Sequence, residues 1–310
     1  MKKTEWLEIK NSLIHFYHKT ALYYKNKDST HVLYKDVYTT LTLKRIAEER
    51  LPQLYIRLQD REQAVLEIIE HTNKQMLKNI EKGDISLVKN DLVNIASETL
   101  QSPFKSTTMK WEETLENLLD ARSKNSKIFK AINLLEDKDR NTAVHSVNVM
   151  VLTMEFGKYL KLPNDEVKIY GLSSLFHDLG KTEIPNSILK SKRKLNEREF
   201  GIMSSHPIKG FNHLKKIDFR NRNILRGALE HHEKLDGSGY PYGKKSNEIS
   251  NISRILSIVD IYEAVTSDYR PYRDALEPIK ALQMLLREQQ DGKIDKEYFE
   301  KFSYSLVWNV

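Results

Sequence analysis

The chain of 310 residues contains no cysteine, which excludes disulfides and any thiolate metal site. Glycine and proline are scarce, 11 and 8 residues, roughly half their usual joint share of about 12%. So few helix breakers over so long a chain point to a mainly helical protein. No apolar run reaches the length of about 18 residues that a membrane-spanning helix needs. At the start, Glu5, Glu8 and Lys10 interrupt any apolar stretch, so no signal peptide is expected, and cytoplasm is the expected compartment. A strong charge bias is also missing. Residues 1–125 carry 20 Lys/Arg against 18 Asp/Glu and the remainder 30 against 25, for an overall net of +7. That balance suits solubility or a small anionic ligand. It is no nucleic-acid stripe, and neither nucleic acid nor membrane is an expected partner.

What the chain does have is histidine in one region. Six of its ten histidines lie between His145 and His232, so the C-terminal half is where chemistry is sought.

The first 60 residues read as a small mixed α/β module. Thr20–Tyr24, His31–Lys35 and Gln53–Arg57 are β-prone, the first two separated by the turn-like Asn26–Ser29, and Leu41–Arg50 reads as a short helix. From Arg61 the periodicity turns helical, with breaks at Gly83 and near Pro103. This stretch, 61–125, reads as a helical connector, a coiled partner surface, or extra helices on the main core. From 126 to 310 the pattern is a series of helices. Val144, Val147, Val151 and Met154 form one stripe, and Val167, Leu175, Phe176 and Leu179 a second. Leu162-Pro163-Asn164 is expected to end one helix and cap the next, and Asn196 with Glu199 reads as a capping box. Further helices are expected over Ile224–His232, Ile252–Val265 and Ile279–Leu286. The fold class expected is mainly α: an all-α bundle in the C-terminal half, a small α+β module at the N-terminus and a helical connector between them.

His145, His177, Asp178, His206, His231, His232 and Asp260 each fall on, or at the end of, a helix otherwise filled with apolar residues. Burying such groups singly is costly. Taken alone, each has an ordinary explanation: a hydrogen-bonded core histidine, an Asp260 paired with Arg254 or Arg273, or a His231-His232 pair at a helix C-terminus. His213 has no motif around it and is assigned that ordinary role. Together the other seven suggest a shared cation. Imidazole mixed with carboxylate suits iron, manganese, zinc or nickel, and seven ligands suit two ions that share a bridge.

His177-Asp178-Leu179-Gly180-Lys181 resembles the HD signature of the HD phosphohydrolases. His231-His232-Glu233-Lys234-Leu235-Asp236-Gly237-Ser238-Gly239-Tyr240-Pro241 resembles the long HHExxDGxGYP motif of the HD-GYP family. The resemblance covers about residues 126–290. It implies an HD-type bundle and a metal-dependent phosphodiesterase that hydrolyses cyclic di-GMP to pGpG, and on to GMP more slowly, with a hydroxide held between two divalent ions, iron first and manganese next. By similarity, His145, His177, Asp178 and Asp260 hold one ion, and Asp178, His206, His231 and His232 the other, with Asp178 as bridge. Asp178 and Lys181 are the implied catalytic pair, Lys181 placing charge at the scissile phosphate. Lys181, Arg270, Arg273 and Tyr240 are the implied substrate contacts. The GYP loop implies a diguanylate cyclase (GGDEF) partner, and helices 61–125 a homodimer.

Three positions depart from the family pattern. Asn141 stands where some members carry a third-metal glutamate, Tyr269 is an extra residue before the Arg270–Arg273 segment, and Glu263 replaces an aspartate. Asn141 and Tyr269 motivate one alternative, a cyclic di-GMP and metal-binding signalling module of weak turnover; a second, an HD hydrolase of another nucleotide, is opposed by the intact GYP loop.

Overall fold

The computed structural model describes residues 5–39, 41, 51–135, 141–267 and 275–307. The helix expected over Leu41–Arg50 falls outside these apart from Leu41, and so do Arg270 and Arg273.

The N-terminal strands are β1 (Trp6–Glu8), β2 (Leu22–Lys25), β3 (His31–Lys35) and β4 (Leu54–Arg57), in the antiparallel order β1-β4-β2-β3. The three longer ones fall where the β-prone runs were read; β1 was not anticipated. Alternation along β4 sends Leu54 and Ile56 inward, fully buried, and Tyr55 and Arg57 outward. The inner face packs on Ile14 and Leu22, and on Ala64 and Ile68 of α1 (Arg61–Lys82). Glu67 of that helix fastens the module, accepting from the Lys19 amide at 2.7 Å and the Thr20 hydroxyl at 2.7 Å.

Helix α1 ends at Gly83, whose φ of 72° is the left-handed conformation of a helix C-terminus. Asp84 then caps α2 (Ile85–Gln101), accepting from the Leu87 amide at 3.1 Å, and α3 (Lys105–Lys124) follows. These three helices are layered on the rest of the bundle. Val65 and Met76 of α1, Leu92 and Ile95 of α2, and Trp111 and Leu118 of α3 share one core with α5 (Thr142–Tyr159) and α6 (Asn164–Phe176), reached through the short α4 (Ile128–Leu134).

Helix α5 is the centre of the bundle. Val147, Met150 and Met154 face that core, while Val149 and Phe156 face a second one built by α11 (Asn251–Thr266), α12 (Pro278–Gln290) and α13 (Lys296–Ser305). A helix packed on opposite sides must be apolar nearly all round, which is why its stripe in the sequence is broad. Between α6 and α11 run a 3₁₀ turn (Leu179–Glu183), α7 (Asn186–Leu189), α8 (Glu197–Met203), α9 (His206–Lys216) and α10 (Arg222–Glu230). The capping box of Asn196 and Glu199 is present, at 2.9 and 3.0 Å. Asn164 behaves otherwise than expected. It is the first helical residue, and its side chain accepts from Lys158 at 2.9 Å rather than capping α6. No helix among the described residues is long and apolar enough to cross a membrane.

Candidate metal centre

Most of the seven residues sit where a helix starts or stops, so their side chains converge instead of spreading around one cylinder. His145 lies in the first turn of α5, after Asn141, whose side-chain oxygen caps the Ala143 and Val144 amides at 2.9 and 3.1 Å. His177 closes α6, and Asp178 leads into the 3₁₀ turn. His206 opens α9, His231 and His232 follow the end of α10, and Asp260 lies within α11. Gly180 permits the convergence. A Cβ there would lie 2.0 Å from the His206 carbonyl oxygen, so only glycine lets the HD turn meet the start of α9.

Two groups of potential ligand atoms result, each within 4.8 Å: His145, His177 and Asp178; and Asp178, His206, His231 and His232. Asp178 belongs to both. Its Oδ2 faces His177 Nε2 at 3.4 Å and His145 Nε2 at 3.5 Å, and its Oδ1 faces His206 Nε2 at 3.3 Å and His231 Nε2 at 3.7 Å. Asp260 Oδ1 joins the first group, 3.0 Å from His145 Nε2 and 3.8 Å from His177 Nε2. The ordinary alternative for Asp260 does not hold for Arg254, which pairs with Asp295 at 2.9 Å.

Four of the five imidazoles, those of His145, His177, His206 and His231, are oriented from behind. Nδ1 of His177 bonds the Ser174 carbonyl at 2.6 Å, that of His206 the Met203 carbonyl at 2.8 Å, and that of His231 the Gly227 carbonyl at 3.0 Å. Nδ1 of His145 bonds Glu263 Oε2 at 2.5 Å. An acceptor at Nδ1 requires the proton there, which turns the Nε2 lone pair toward the centre, the tautomer of a metal ligand. His177 Nε2 and Asp178 Oδ1 are buried with no hydrogen-bond partner. Buried polar atoms without partners are rare; His177 Nε2 belongs to the first group of potential ligand atoms and Asp178 Oδ1 faces the second, so a cation in each group would satisfy them. The donor set therefore fits divalent ions, borderline or hard by its mix of imidazole and carboxylate.

Charge follows the geometry. Burial would raise the Asp178 carboxyl, but the neighbouring His177 and Lys181 hold it well below its ordinary value. Asp260 is likewise held low against burial, chiefly by His145. Burial pushes His231 down to about 4 and His232 well down, keeping both neutral, as metal binding would require. His145 differs: burial would lower it, but Glu263 and Asp260 push it up to about 9.

Lys181 Nζ lies 2.5 Å from Asp178 Oδ2, at the rim of the centre. The Tyr240 ring lies 4.7 Å from that of His232 and meets the exposed Phe200 edge-on at 5.9 Å. His213 stands apart, 3.5 Å from Glu183. Three buried acids complete the surroundings. Glu233 holds the GYP loop, accepting from the Tyr242 amide at 2.8 Å and the Lys244 amide at 2.9 Å. Glu230 pairs with Lys244 at 2.8 Å and accepts from the Ser250 amide at 3.0 Å. Glu263 supports His145. None of these roles was read from the sequence, where the available signal was an acid inside a motif or on an apolar helix.

The family described as HD domain matches residues 130–298. The chain belongs to that family, in its HD-GYP branch. It is 34% identical over 168 residues to a cyclic di-GMP phosphodiesterase of Pseudomonas aeruginosa, covering 54% of this chain and 40% of that one. It is 33% identical over 168 residues to 3'3'-cGAMP-specific phosphodiesterase 1 of Vibrio cholerae, covering 54% and 38%. The matches thus span about two fifths of these curated relatives. An HDG"Y"P protein from Bdellovibrio bacteriovorus shares the fold, with a TM-score of 0.66 and 17% identity over 97% of this chain and 99% of that one.

Proposed function

We propose that the chain is a metal-dependent phosphodiesterase that opens cyclic di-GMP to linear pGpG. The observation that carries this reading is Asp178, whose two oxygens face two separate histidine groups. His145, His177, Asp178 and Asp260 would hold one divalent ion and Asp178, His206, His231 and His232 the other; the donor set accepts iron, manganese, zinc or nickel, and the family resemblance favours iron, then manganese. The ions, when bound, supply an acidified water and positive charge opposite the phosphate.

The protein's own residues do the rest. Main-chain carbonyls behind His177, His206 and His231 lock the rings. The Lys181 ammonium stands at the rim beside Asp178, where it would take a phosphate oxygen. Tyr240 lies against the His232 ring and flanks that side of the centre. Water adds to phosphorus, the bond to the ribose 3′ oxygen breaks, and that oxygen leaves with a proton, which yields a 5′-phosphorylated linear dinucleotide. The curated relatives act on cyclic di-GMP or 3'3'-cGAMP, so both belong in the assay.

The test is anaerobic purification with elemental analysis, then chromatography after adding each cyclic dinucleotide. Two ions per chain and appearance of pGpG support the reading. Tight binding without cleavage at full metal occupancy overturns it and leaves a receptor.

A further inference from the structure

The two halves of the centre are supported differently. On one side His206 and His231 donate Nδ1–H to neutral main-chain carbonyls. On the other, His145 donates to a carboxylate, Glu263 Oε2, at 2.5 Å. Glu263 is buried on the same face of α11 as Asp260, one turn further along. Its other oxygen is pinned by Asn148 Nδ2 at 3.0 Å and by the Ser267 hydroxyl at 2.7 Å. The carboxylate is therefore locked to two elements, the central helix α5 and the end of α11, and cannot swing away from the ring.

The charges are correspondingly unequal. The first half gathers Asp178 and Asp260 directly and Glu263 behind His145. The second has three imidazoles and only its share of Asp178. A carboxylate behind a ligating imidazole makes the ring more basic and holds its orientation, and an added negative charge at short range in a buried site favours a cation strongly.

We propose that Glu263 is a positioning residue for His145 and that it makes the His145–His177–Asp260 half the first to take up an ion. This rests on the two-ion reading above. Loading of that half would leave Asp178, which belongs to both groups, already held for the second.

The test uses the full chain stripped by chelation and titrated with Mn²⁺, followed by calorimetry and by the electron paramagnetic resonance of the bound ion. Wild type should show a tighter and a weaker step. His206→Ala should abolish the weaker one alone. Glu263→Gln, which keeps the size and removes the charge, should weaken the tighter step by about 10–100-fold and leave the other in place. Should E263Q fold poorly, Asn148→Ala removes one of the two bonds that pin the outer carboxylate oxygen, leaving that from Ser267, and should weaken the same step by less. An unchanged tighter step in whichever variant melts like wild type in the stripped form overturns the proposal, and so does equal weakening of both steps. If wild type takes up fewer than two ions, the two-ion reading itself falls and the inference with it.

Discussion

The Nε2 atoms of His206 and His231 lie 3.2 Å apart, although each ring already bonds a main-chain carbonyl through Nδ1. With both protons committed behind, two lone pairs face each other in a buried site. Such an arrangement is unfavourable unless a cation stands between them or one ring gives up its rear bond. Ion binding should therefore stabilise the fold and not merely complete the site. Stripping the chain with a chelator should lower its melting temperature by roughly 5 °C, the shift expected from a ligand well above its dissociation constant. Differential scanning calorimetry of stripped and reloaded protein checks this, and identical melting curves would count against it.

Asp178 is the one side chain common to both ligand groups. Asp178→Asn keeps its size but cannot bridge with two anionic oxygens. Bound metal should drop from two ions per chain to one or fewer, and hydrolysis of cyclic di-GMP should fall to background. Elemental analysis and product chromatography on the same sample read both. A variant that keeps full turnover after losing its metal would remove the proposed chemistry.

The residues that converge at the centre were legible in the sequence because each is an ionisable group set into an apolar helical pattern, and because the His177-Asp178 and His231–Pro241 segments are distinctive. The helices were legible wherever a stripe of one face was clear, as with Val144, Val147, Val151 and Met154. The supports were not. Glu263 reads as one more acid near a helix end until the fold brings it across to His145, 118 positions away. Glu233 lies inside the motif, but its hold on the Tyr242 and Lys244 amides depends on how the loop turns back. Asn164 lost its expected capping role because Pro163 already opens the helix and Lys158 claims the side chain. These are tertiary effects, and local periodicity does not contain them.

Gly180 carries a steric prediction. The HD turn passes so close to α9 that a Cβ at 180 would also lie 2.6 Å from the Gly210 amide nitrogen, on top of its collision with His206. Both are backbone atoms and cannot rotate away. Gly180→Ala should cost about 1–3 kcal/mol in urea unfolding and should shift His206 away from Asp178. Metal uptake by the His206 side should suffer more than uptake by the His145 side. A variant with wild-type stability and two tightly bound ions would show that the contact is looser than described.

The helical layer beneath the centre can be probed by pH. Asp91 of α2 is buried against Asn79 of α1, which donates to it at 2.8 Å. Burial outweighs that bond and pushes the carboxyl up from 3.8 to about 6. In the unfolded chain it returns to its ordinary value, so between about pH 4 and pH 6 the folded state holds the proton more firmly than the unfolded one. Stability from this group is therefore fully present below pH 4 and is lost as pH rises to 6, after which the deficit is constant. Asp91→Asn removes the ionisation while keeping an oxygen for Asn79. At pH 7 it should be more stable than wild type by up to about 3 kcal/mol, and the difference should vanish near pH 4. Urea unfolding of both proteins across that range decides the matter, since a gap of constant size at every pH would mean that Asp91 is already ionised freely in the folded chain.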